Sequence, residues 1–62
     1  MPPAPLDTAS LEAVYDELAQ AIDLAGPERA ELFLVKLALL NAHALGDAGI
    51  ARQHIQTALR DL

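Results

Sequence analysis

The sequence predicts an all-α fold of three helices joined by two very short turns. Three observations predict it. Alanine and leucine supply 25 of the 62 residues, and both are strong helix formers. Apolar residues recur at helical spacing, and no segment alternates as a strand would. Helix-ending and helix-starting residues sit side by side at Gly26-Pro27 and again at Gly46-Asp47.

The first residues, Met-Pro-Pro-Ala-Pro, hold three prolines in five positions. Proline lacks an amide donor and biases its predecessor away from helix. Residues 1–7 therefore read as a flexible Pro-rich tail, and residues 8–62 as a single three-helix domain. Asp7, Thr8 and Ser10 are all candidate N-caps for helix one.

Helix one runs to about Ala25. At about 100° per residue, Leu11, Val14, Tyr15, Leu18, Ala21, Ile22 and Ala25 share one arc of about 120°. This is a buried stripe on an amphipathic helix. Glu12, Asp16 and Asp23 gather on another side, within about 40° of one another.

Gly26 suits the left-handed position after helix one, and Pro27 suits the first position of helix two. Helix two is expected from Pro27 to Leu45, with Glu28 and Glu31 near the positive end of its dipole. Gly46 closes it and Asp47 caps helix three, which runs from about Ala48 to Arg60. Its apolar side is Ile50, Ala51, Ile55, Ala58, Leu59 and Leu62. Joins this short make consecutive helices neighbours, antiparallel or steeply crossed. The expected architecture is a three-helix antiparallel bundle, or a helical hairpin plus a third helix, that dimerises.

Helix two carries the reason to expect a dimer. Eight large apolar side chains fall in the fourteen residues from Leu32 to Leu45. Phe33, Leu37 and Leu40 make one broad arc that helices one and three can cover. Leu32, Val35 and Leu39 make a second stripe, more than about 100° away. Fully burying each of these three is worth about 1.5–3 kcal/mol, although association costs consume part of that. The stripe is expected to be a self-association seam, most simply in a two-fold dimer. The alternative is an irregular monomer core in which helix one or three lies across it. Asn41 falls in the middle of the broad apolar arc, as a buried polar residue. It is then a core amide bonded to backbone, a register device at an interface, or a ligand contact.

Composition excludes several classes. With no cysteine there are no disulfides, thiolate metal sites or thiol nucleophiles. The two histidines, His43 and His54, lie on different helices without metal-ligand spacing. No hydroxyl sits in a nucleophile elbow, and no glycine-rich loop could hold a phosphate. No enzyme activity, metal or cofactor is expected. The net charge of −5 argues against nucleic acid, which calls for clustered Lys and Arg. No apolar run approaches the roughly twenty residues of a membrane span. No signal-like start precedes the domain, so the expected location is cytoplasmic.

The charge is lopsided. Residues 1–31 hold seven acids and one base, whereas residues 32–62 hold two acids and three bases. The Glu12, Asp16 and Asp23 column reads first as a solvated helix face. As a binding feature it would dock a basic partner protein. An alternative function is binding an apolar small molecule at a subunit interface, lined by Phe33, Leu37 and Asn41.

Val14, Tyr15, Asp16 and Leu18, then Leu37, Leu39, Leu40 and Asn41, then Gly46 and Asp47 form a recognisable order. Over residues 11–60 the sequence resembles a family of small bacterial all-helical proteins of unknown function, with a VYDxL start, an LLLAN-like stretch and a following GD. The order of asparagine and histidine in "LLNAHALGD" departs from the "LLANHIGD" pattern of that family. The resemblance implies an all-helical fold and an accessory role beside an oxidoreductase of aromatic-compound breakdown.

Overall fold

A computed structural model describes residues 5–60 and 62; most of the Pro-rich tail lies outside them. Among the described residues the chain forms α1 (Thr8–Ala25), α2 (Ala30–Leu45) and α3 (Ala48–Arg60), with no strand.

Of the three candidate caps, Asp7 takes the position before α1. Its backbone is extended (φ −70°, ψ 168°), and its Oδ1 accepts the Ser10 amide N–H at 2.8 Å. This satisfies one of the amide donors left free at a helix start. The same N–H, with the Ser10 hydroxyl, holds the Asp7 carboxyl below the ordinary aspartate value. At the start of α3, Asp47 Oδ1 accepts the Ile50 N–H at 3.0 Å, as the sequence pattern leads one to expect.

The first join differs from expectation. Gly26 donates to the Ile22 carbonyl at 3.1 Å and has φ 82° and ψ 160°. This is not the left-handed helical region but the extended region at positive φ that is essentially confined to glycine. The chain then enters a turn instead of a helix. The Arg29 N–H bonds to the Gly26 carbonyl at 3.1 Å, and Pro27 occupies the second turn position, where its fixed φ fits. Helix α2 accordingly starts at Ala30 and not at Pro27. Arg29 offers no side-chain cap. The second join is tighter. Gly46 is left-handed (φ 75°, ψ 13°) and donates to the Ala42 carbonyl at 3.1 Å.

Packing is confined to the neighbourhood of these joins. Among the described residues, no two that are twelve or more positions apart come within 8 Å, Cα to Cα. An antiparallel pair of helices this long would bring many such residues together. The helices instead turn away from one another at each join, and the single chain forms no closed bundle. Near the first join, Leu18, Ala21, Ile22 and Ala25 of α1 and Ala30, Phe33 and Leu37 of α2 are half-buried. Near the second, only Ala42 and Ala51 are. No described residue is fully buried.

The N-terminal half of the expected α1 stripe is therefore open. Leu11, Val14 and Tyr15 are all exposed, Tyr15 by 70%. The physical reason is direction, since α1 leaves the first join pointing away from α2 and α3. The radius of gyration is 13.0 Å, the value of a compact domain of about 100 residues. The accessible surface is 5892 Å². A compact protein of 6.6 kDa would expose roughly 3,900 Å².

Two predictions follow from the joins and caps. A Cβ added at Gly26 or Gly46 meets no atom within 4 Å, so replacement there strains only the backbone. Gly26→Ala should destabilise by about 1–3 kcal/mol and Gly46→Ala by about 1–2 kcal/mol, in urea unfolding at fixed chain concentration. Separately, the Asp7 cap is fully effective above the ordinary aspartate value and is lost as pH falls through its lowered value. Asp7→Asn should keep the helix and remove that pH-dependent part of the helical signal in circular dichroism.

Candidate self-association surface

Helix α2 is the least one-sided of the three helices in its apolar character. Leu32, Val35 and Leu39, the expected seam, are 60%, 50% and 66% exposed. Neither α1 nor α3 lies across them to bury them, so the alternative monomer core is not what the single chain builds. Apolar exposure is not limited to this stripe. Leu34, Leu40 and Leu45 of the same helix are also open. The broad arc that sequence reasoning covers with helices one and three is covered only at Ala30, Phe33 and Leu37.

Between α2 and α3 the divergence leaves a cleft of about 480 Å³. Alanines form much of it, from Ala38 and Ala42 on one side to Ala51 and Ala58 on the other. Leu39, Leu45 and Ile55 add bulk, and Asn41 and His54 are its polar members. Leu39 thus belongs both to the seam and to the cleft. Sequence reasoning missed this cleft. Four of its nine lining residues are alanine, which reads as helix propensity and not as a site.

Asn41, expected to be buried, is exposed in the single chain and lines the cleft. The helices expected to cover its arc diverge before reaching it. Its amide is open to water, so no desolvation cost arises until something fills the cleft. Phe33 and Leu37, grouped with Asn41 as possible ligand lining, are half-buried near the first join and do not line the cleft.

The acidic column keeps its sequence-based placement. Glu12, Asp16 and Asp23 are all exposed on α1, near the exposed Glu17. Among the described residues, no three His, Asp or Glu side chains group to hold a metal ion. Among the described residues, no helix is long and apolar enough to cross a membrane.

No family model, curated protein or solved structure matches the chain.

What the surface can do chemically follows from its own residues. It has aliphatic stripes on each helix, an alanine-floored cleft and an acidic ridge.

Leu24 provides a control for the surface as a whole. It is 89% exposed and lies off the α1 apolar stripe. Leu24→Ser should shift stability by no more than about 0.5 kcal/mol and leave the molecular mass in solution unchanged, as read by sedimentation.

Proposed function

We propose that this protein is a small helical interaction module that completes its fold by self-association through Leu32, Val35 and Leu39. A single observation carries the reading: a chain that is 53% apolar buries no described residue fully on its own. The surface in excess of a compact chain is roughly 2,000 Å² on the scaling of area with mass. A standard interface takes about 800 Å² from each partner. An interface of that size would cover less than half of the excess, whereas an obligate homodimer interface of about 4,000 Å² in total would cover it. The antiparallel bundle belongs to this assembled state.

The acidic ridge of Glu12, Asp16 and Asp23 is the proposed docking face for a larger partner protein. Its charge would act at long range and give salt-sensitive capture. The proposed role is accessory and not enzymatic, with no cofactor, metal, nucleic acid or membrane involved. The proposed setting is the bacterial cytoplasm. The family resemblance supports placing that partner among oxidoreductases.

One observation favours a second reading. The α2–α3 cleft, at about 480 Å³, has the volume of a small-molecule site, which spans about 300–1,000 Å³. An apolar ligand at a subunit interface would raise the melting temperature with ligand concentration.

Sedimentation equilibrium across a concentration series tests the first reading. The wild-type chain should be a dimer or larger at micromolar concentration. Leu32→Glu with Leu39→Glu should lower the mass toward that of one chain and lose cooperative melting. A wild-type monomer that melts cooperatively, or a double variant with unchanged mass and stability, would count against the seam.

A further inference from the structure

We propose that α1 of one copy lies in the α2–α3 cleft of a second copy, and that the two copies exchange this helix reciprocally. The inference rests on the self-association proposed above, and adds what fills the cleft.

The first support is that both surfaces lack a partner within the chain. Leu11, Val14 and Tyr15 form an open ridge on α1, and the cleft is open between α2 and α3. The chain's own α1 does not supply the occupant. No described residue of α1 comes within 8 Å, Cα to Cα, of any residue of α3. Each chain therefore carries an apolar ridge and an apolar groove at different ends.

The second support is size and shape. The ridge from Leu11 to Leu18 spans eight residues, about 12 Å of helix. The cleft walls, Ala38 to Leu45 and Ala51 to Ala58, are also eight residues long, again about 12 Å. Alanines on both walls allow a third helix to approach closely, while Leu39, Leu45 and Ile55 can pack beside its larger side chains. A helix laid in a groove in this way is a common recognition mode.

Charge chooses among the helices that could fill the groove. Helix α1 carries Glu12, Asp16, Glu17 and Asp23 and no base. Helix α3 carries Arg52 and Arg60 and no acid. On helical geometry Arg52 borders the cleft face of α3, and Glu12 and Glu17 flank the apolar ridge of α1 on its two sides. Pairing α1 with the α1 of a second copy would set the flanking Glu12 and Glu17 of each copy beside those of the other. Pairing it with α3 sets opposite charges at the rim of an apolar contact. Because each copy has one ridge and one groove, a two-fold axis fills both and leaves nothing open to propagate.

The test uses the full-length chain. Tyr15 is its single tyrosine, so its ring protons are a clean probe. Isotope-labelled and unlabelled chains are mixed, and nuclear Overhauser effects are collected between protomers. Contacts between the Tyr15 ring of one chain and the Ile55 methyls of the other are expected. A dimer without them overturns the exchange and leaves the Leu32, Val35 and Leu39 seam standing. A monomer at the same concentration overturns both. Charge exchange gives a second readout. Arg52→Glu should weaken self-association by roughly three- to tenfold. Mixing that variant with Glu12→Lys/Glu17→Lys chains should restore wild-type affinity, because both mixed pairings are then complementary. Affinity unchanged in every sample overturns the proposal.

Discussion

The direction in which the chain leaves Gly26 governs most of what this protein exposes. At φ 82° and ψ 160° the backbone does not curl back over α1. It passes through the turn closed between Gly26 and Arg29, and α2 departs at an angle to α1. Gly46 repeats the outcome with a tighter geometry. Two diverging joins in 62 residues leave no helix able to lie alongside another for its full length. Each apolar stripe is consequently covered only near a corner, where Ile22, Ala25, Ala30 and Phe33 are half-buried.

This constraint sets the energetic problem. Ordering the backbone costs about 1–2 kcal/mol per residue, and burial must offset most of it. Half-buried corners offset too little. The caps at Asp7 and Asp47 fix where the helices start, and each acts within one turn of its own helix. They organise the elements without holding them together. Tertiary packing, which supplies most helical stability in proteins, is what the separate chain lacks. The outward leucines of α2 and the alanine-floored cleft are two faces of the same deficit.

Much of the local structure was legible in the residues. Three helices, the Gly46-Asp47 join and the Asp47 cap follow from short-range chemistry, where glycine conformation and a carboxylate's reach decide the outcome. The start of α2 was not legible. Pro27 fits a helix start and the second position of a turn equally well, and the ψ of Gly26 chooses between them. The openness of Leu32, Val35 and Leu39 could be anticipated because too few helix faces exist to cover α2. The exposure of Leu11, Val14, Tyr15 and Asn41 could not. A helical wheel gives the side on which a residue lies, but not whether a neighbouring helix extends far enough to meet it. That depends on the angle at the join, which no periodicity encodes.

On the proposed self-association, a separate chain with no fully buried side chain among its described residues would also tie the protein's lifetime to its abundance. Proteases act on chains that open, and assembly withdraws chains from that pool. Copies made in excess of those that can pair would be removed quickly, whereas paired copies would persist. Turnover would then hold the cellular amount near the level at which assembly saturates, with no regulator beyond the coreless shape of the single chain.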